Sequence, residues 1–469
     1  MLSAFSRSCL PLAAGLLALA VTNTGSHKAH GQATTPPTVG TGLTSGVAVD
    51  ASGVLQRLAL PDPTGQLARE RAQNALAMLD ADISRQSRLR KVSLTRLSRL
   101  IDRSIEEGHG PDDAMQHLAG LTRIRYVFFY PETGDIVLAG PAEGWMPTAT
   151  GRMVGLYTGQ PVIELQDLAV ALRAFPASKQ SDPFVYCSID PTQEGLSRMQ
   201  QFLSRIGRQI GPNDTQFIVQ GLQESLGLQT VSVGGIPATT HFAQVLVEAD
   251  YRMKLIGIGL EQPPVRMASF VALANPATVA RNALQRWYFV PDYQRIKLTE
   301  NADALEFVGN GVKLVGEDEV VGRDGGRSAS KNGQSRASRK FTRTFTQKYN
   351  QIADRAPVYG QLRNCVDLLV AAAFLQHYDL YTLAGWEPQA LLDESAYAVE
   401  TLNAPREVAT AVNSMWKGNR LMTPVGGGVQ IQAGQALDSE NVAEDDGEVA
   451  KAHAAAAIAD LPADQWWWD

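Results

Sequence analysis

Between residues 124 and 321 the chain switches repeatedly between two hydrophobic periods, and this mixture restricts it to an α+β (mixed α/β) fold class. The strongest strand signal is a hairpin: Ile124 to Tyr130 reads IRYVFFY, Pro131 to Gly134 supplies a turn, and Ile136 to Ala139 returns. The clearest helix runs from residue 239 to 256. There Phe242, Val245, Leu246, Ala249, Met253 and Ile256 form one apolar stripe, and Glu248 with Arg252 and Asp250 with Lys254 make i,i+4 pairs. Ser93 is placed to cap a second helix, whose Leu94, Leu97, Ile101 and Ile105 recur at helical spacing until Gly108 stops it. Pro357 opens a third that is apolar on most sides and is therefore expected to be buried. At 469 residues one core is not expected. The reading is two compact domains, 66–265 (mixed α/β) and 266–433 (strand-rich, then helical, with a basic loop at 323–340). A flexible leader at 34–65 precedes them, and an acidic, Trp-ended tail at 434–469 follows.

The N-terminus reads as an export signal. Arg7 precedes an apolar run from Cys9 to Val21, too short to span roughly 30 Å of hydrocarbon, and Gly31 and Ala33 fit a small-residue cleavage site. Cleavage after Ala33 leaves a periplasmic or extracellular protein. No later run of 18 uninterrupted apolar residues occurs, so no transmembrane anchor is expected in the mature chain. Cys187 and Cys365 then remain, either as a disulfide or as buried free thiols.

Chemical motifs are sparse. Neither HExxH nor a paired CxxC nor a phosphate loop occurs, so no metal site and no cofactor is expected. Weak catalytic candidates are His241, Glu248 and Arg252, which share a helix face and could orient a histidine for proton transfer; the plainer reading is a solvated face. Two basic groups are candidates for binding a polyanion: Arg96, Arg99 and Arg103 on one helix, and Arg336, Arg339, Lys340 and Arg343 in and after the 323–340 loop. Neither has interleaved aromatics, so nucleic acid is not the expected partner. Trp466, Trp467 and Trp468 are costly to leave in water and must dock, on the chain's own body or on a partner. Residues 434–469 hold nine Asp or Glu against Lys451 alone, so folding back onto Arg323–Lys348 is one expectation for the tail.

Several long strings together resemble a known family: YVFFYPETGDIVLAGPAEGW (Tyr126–Trp145), CSIDPTQEGLSRMQQFL (Cys187–Leu203), THFAQVLVEADYRMKLIGIGLE (Thr240–Glu261), RWYFVPDY (Arg286–Tyr293) and FVGNGVKLVGEDEVV (Phe307–Val321). They are similar to an exported-protein family of planctomycete bacteria, domain of unknown function 1598, across roughly Arg123 to Trp386. That resemblance implies export and brings no activity or ligand. The leading expectation is a non-catalytic binding or scaffolding protein of the cell envelope, with an envelope protein or anionic glycan as partner. The alternatives are a metal-independent hydrolase with a polar site on helix 239–256, and a polyanion-binding protein.

Overall fold

The hairpin forms where the β-branched and aromatic runs place it. Tyr126–Tyr130 pairs antiparallel with Asp135–Ala142, and the turn closes on Gly134 with φ 67°, the left-handed region that suits glycine. The chain is seen here in a computed structural model. It describes residues 43–469 apart from 63, 179–180, 207–211, 276–282, 331–332, 414–415, 418–419, 422–424, 457–460 and 463. The expected signal peptide 1–33 and the first residues of the expected leader lie outside the described residues.

The α+β class holds, built on two large sheets. One runs in the order Leu43–Val49, Val54–Pro61, Glu407–Ala409, Leu228–Gly234, Phe184–Pro191, Val425–Gln432, Ala283–Asp292, Gly311–Val321, Arg327–Ala329. The other runs Val442–Glu444, Ile296–Leu298, Ala304–Glu306, Tyr126–Tyr130, Asp135–Ala142, Ser87–Ser93, Trp467–Trp468. Both draw strands from either side of residue 265, so the boundary expected there does not separate two sheets. The reason is long-range pairing: Ala283–Asp292 lies parallel to Val425–Gln432, and Ala304–Glu306 pairs with the first strand of the hairpin. Residues 43–61, expected within the leader, form a β-hairpin on the edge of the first sheet, and Val54 and Leu55 pair onward with Glu407 and Val408.

Helix His241–Ile258 lies on strands Phe184–Pro191 and Val425–Gln432, and helix Pro357–His377 packs over it. Two glycines allow the close approaches. A Cβ on Gly257 would stand 2.0 Å from the Trp287 ring, and one on Gly427, whose φ is 132°, would stand 1.9 Å from the Trp287 carbonyl oxygen. Helix Pro357–His377 is long and apolar enough to cross a membrane by length and composition, yet its apolar window is enclosed by protein.

Cys187 lies on a strand of the first sheet and Cys365 on helix Pro357–His377, and both are buried free thiols, which corrects the bridge considered above. The basic stretch is also corrected. Arg336–Gln347 is a helix, capped by the Ser335 hydroxyl, with Phe341 and Phe345 as its buried face, so Arg336, Arg339 and Lys340 stand on a helix rather than in a loop.

The tail docks on the second sheet and not on Arg323–Lys348. Val127 and Phe129 face the main core, whereas Tyr126, Phe128 and Tyr130 face outward and are covered by Val449, Ala456 and Trp468. His453 stacks on Tyr130 at 4.4 Å and sits 3.0 Å from the Phe129 carbonyl. At the sheet edge Trp467 and Trp468 pair with Val92 and Lys91, while Trp466 enters the core. The edge strand would otherwise present unpaired backbone.

Arg90 secures this closure. It is 0% exposed, stacks 4.6 Å from the Trp467 ring, donates to the Asp469 carboxylate at 2.8 and 3.1 Å, and reaches the Ile83, Ala119, Asp82 and Arg85 carbonyls. Removing Trp466 to Asp469 strands a buried guanidinium and is expected to cost up to about 3–5 kcal/mol. A thermal melt reads this directly, and an unchanged melting temperature contradicts it. Burial also pushes the thiols of Cys187 and Cys365 well up from their usual range. Both are expected to label with a disulfide reagent only after unfolding, and fast labelling of the folded protein contradicts that.

Candidate functional site

A helix with charges on one face usually turns that face to water. Here fifteen of the 18 residues of His241–Ile258 are buried, Glu248, Asp250, Arg252 and Lys254 among them, because the sheet lies on one side and helix Pro357–His377 on the other. Every such charge needs a partner within reach, since an isolated buried ion costs several kcal/mol.

The partners form one continuous chain. His241, opening the helix after the Thr240 cap, directs Nδ1 at both Asp167 carboxylate oxygens at 3.0 Å. Glu164 stands 3.8 Å from Nε2. Arg152 donates to the Gln361 carbonyl oxygen at 2.5 Å, which turns the Gln361 amide nitrogen toward Nε2 at 3.3 Å. The same Arg152 donates to Glu248 at 2.8 Å; Glu248 accepts from Arg252 at 3.3 Å; Arg252 donates to Glu261 at 3.0 and 2.8 Å. Arg57, on the N-terminal hairpin, stands 3.6 Å from Glu261. Thus the three catalytic candidates, His241, Glu248 and Arg252, fall in a single network, joined by residues from five other segments.

The electrostatics follow from that arrangement. Burial alone would lower the His241 pKa, but the Asp167 and Glu164 carboxylates outweigh both burial and the nearby Arg152 guanidinium, and hold it up to about 9. Burial is also the largest influence on Arg252, yet Glu261 and Glu248 overcome it and keep the guanidinium charged. A histidine held as imidazolium is a poor general base at neutral pH. What the chain of charges does well is clamp helix His241–Ile258 to the segments around it.

A second group on the same helix joins it to the sheet. Lys254 Nζ donates to Asp250 at 2.8 Å and to the Ile189 and Gly427 carbonyls at 2.8 and 3.0 Å, so its three hydrogens are used. Burial pushes the Asp250 carboxyl up to about 6, against the pull of Lys254.

The cationic candidates divide. Ser93 caps helix Leu94–Glu106 as expected, but Arg96 is turned inward onto Asp135 at 3.1 Å and onto the Pro462 carbonyl at 2.8 Å. Arg99 and Arg103 remain exposed on that helix. Arg336, Arg339, Lys340 and Arg343 are all exposed on the face of their helix opposite Phe341 and Phe345. Trp466, Trp467 and Trp468 lie against the chain's own second sheet. Among the described residues no group of His, Cys, Asp and Glu is arranged to hold a metal ion.

The raised pKa of His241 sets a pH dependence with a definite sign. Its contribution to stability is full below its ordinary pKa of 6.5 and is lost as pH rises through about 9. The denaturation midpoint is expected to fall over that window, and His241→Gln to flatten the fall. An equal slope in both proteins contradicts the assignment.

Neither the curated proteins nor the solved structures contain a match to this chain. A family model described as a protein of unknown function (DUF1598) matches residues 187–270, a span that holds strands Phe184–Pro191 and Leu228–Gly234 in whole or part and the whole helix His241–Ile258. Over the part of the fold in which that helix is clamped between sheet and helix, the chain therefore resembles the DUF1598 family.

Proposed function

We propose that the protein is an exported, non-catalytic binding protein of the cell envelope, working in the periplasm or outside the cell, that takes an anionic partner such as a charged glycan on the basic face of helix Arg336–Gln347. One observation carries this reading. Arg336, Arg339, Lys340 and Arg343 are all exposed at helical spacing, and none makes a side-chain ion pair among the described residues. Other cations, Arg90, Arg96, Arg252 and Lys254 among them, are paired internally. Four neighbouring cations, of which Arg339 has Asp318 nearby but not in an ion pair, raise the local potential and draw polyanions from solution. The helix is held rigidly by Phe341 and Phe345, both 0% exposed, so the face is presented without a cost of ordering it on binding. Export by the N-terminal signal accords with a partner in the envelope. The potential groups for hydrolysis, His241, Glu248 and Arg252, are occupied with one another and with Asp167, Arg152 and Glu261.

The test uses the purified protein on a sulfate-bearing matrix at pH 7. Its net charge of −6 opposes retention, so retention requires a local cationic surface. Retention is expected at low salt, with release near 0.15 M, where screening acts over about 8 Å. The combined variant Arg336→Gln, Arg339→Gln, Lys340→Gln and Arg343→Gln is expected to flow through. Equal retention of that variant, or passage of the unmodified protein at low salt, sinks the proposal.

A further inference from the structure

A cleft of about 1030 Å³ opens where the second sheet meets helices Tyr349–Arg355 and Pro357–His377, and none of Arg336, Arg339, Lys340 and Arg343 lines it. Arg363 forms part of its wall. The residue is only 4% exposed, its Nε has no hydrogen-bond partner, and its other nitrogens donate only over long distances, 3.3 Å to Asn350 and 3.4 Å to Gln160. Asn350 and Gln160 line the same cleft. One turn along the helix Asp367, 0% exposed, accepts from the Tyr293 hydroxyl at 2.8 Å and stands 3.7 Å from Arg123. Two guanidiniums, Arg123 and Arg363, thus face one buried carboxylate. Burial and the neighbouring Arg123 both press the Arg363 pKa downward, the mark of a cation short of acceptors.

The other carboxylates on the wall are already engaged. Glu143 accepts from Gln86 and Thr158, Glu306 from Arg125, and Asp354 from Gln160. Asp367 Oδ2 makes no hydrogen bond either, yet no ion pair joins it to Arg363, so an acceptor supplied from outside would complete the guanidinium. An oxyanion on the free edge of a guanidinium is the chemistry that fits, and a guanidinium reads carboxylate or sulfate by two parallel hydrogen bonds. The volume is far larger than one such ion needs and falls at the upper end of small-molecule sites. Its remaining walls carry amides and hydroxyls, Gln86, Thr122, Thr158, Gln160 and Asn350, which suit a ligand covered in hydroxyl groups.

We propose that this cleft is a binding site for an anionic saccharide, with Arg363 and Arg123 taking its carboxylate or sulfate and Asn350 and Gln160 meeting its hydroxyls. The site is independent of the basic helix face, and the two are separable by experiment.

Titration calorimetry of the purified protein at about 0.3 M salt, where screening has released polyanions from the exposed helix face, tests it with three probes: an oligogalacturonate, charged only by carboxylates; a dextran sulfate oligomer, charged only by sulfates; and maltotetraose, neutral. At least one charged probe is expected to bind tenfold or more tightly than maltotetraose, and which one does so identifies the anion. Arg363→Gln is expected to abolish the preference for charge. Asn350→Ala, an exposed position that leaves the fold intact, is expected to weaken the same probe several-fold and decides the matter if Arg363→Gln fails to fold. The fourfold helix variant described above is expected to bind that probe unchanged. The site is overturned if no charged probe exceeds maltotetraose, if Asn350→Ala binds as the parent does, or if the helix variant alone removes binding.

Discussion

Helix His241–Ile258 is covered on both faces, and the organisation around it depends on meeting the electrostatic cost of that burial. A charged side chain removed from water has to be paired, and the pairing has to be supplied from segments distant in the chain. Arg152, Asp167, Glu261, Gln361 and Arg57 converge on the helix for that reason. Lys254 reaches in the other direction, to carbonyls of two adjacent strands. Such ions add little net stability over an apolar core of equal volume, but they tolerate few alternative arrangements, because each misplacement leaves a charge unpaired. The helix is thereby fixed in one position between the sheet and helix Pro357–His377.

The second sheet faces the complementary problem, an outer surface of aromatic side chains and an open edge. Tyr126, Phe128 and Tyr130 alternate with Val127 and Phe129, so a five-residue strand buried on both faces needs a cover on each. The main body supplies one, and helix Glu448–Ala455 with strand Trp467–Trp468 the other. Arg90 ties that cover down by joining ring stacking with a carboxylate and four backbone carbonyls. Of the tail's carboxylates, Asp469 meets Arg90 and Asp446 pairs with Lys297 on the same sheet at 2.9 Å.

Local features were legible. The hairpin, the Ser93 cap, the apolar stripe of residues 242–256 and the buried character of the helix after Pro357 all follow from periodicity and turn chemistry acting over a few residues. The candidates His241, Glu248 and Arg252 were legible as a group because seven- and four-residue spacings put them on one face. Their surroundings were not. Nothing in the local pattern distinguishes a charged face in water from one covered by another helix, since Glu248–Arg252 is a favourable i,i+4 pair in either setting. Arg363 was missed for a related reason: it sits in an apolar helix, and only the approach of Arg123, Asn350 and Gln160 from elsewhere makes it a cation short of acceptors.

The sequence by itself determined the α+β class, the main helices and hairpin, and the resemblance in residues such as Thr240–Glu261, because these depend on interactions within a few residues of one another. The tertiary structure decided which strands share a sheet, that residues 43–61 join one of them, that the Trp-ended tail closes the other, and which charges are internal and which stand exposed. Those outcomes rest on contacts between residues tens to hundreds of positions apart, as with Arg90 and Asp469, and the free energy of such contacts depends on burial that no local pattern encodes.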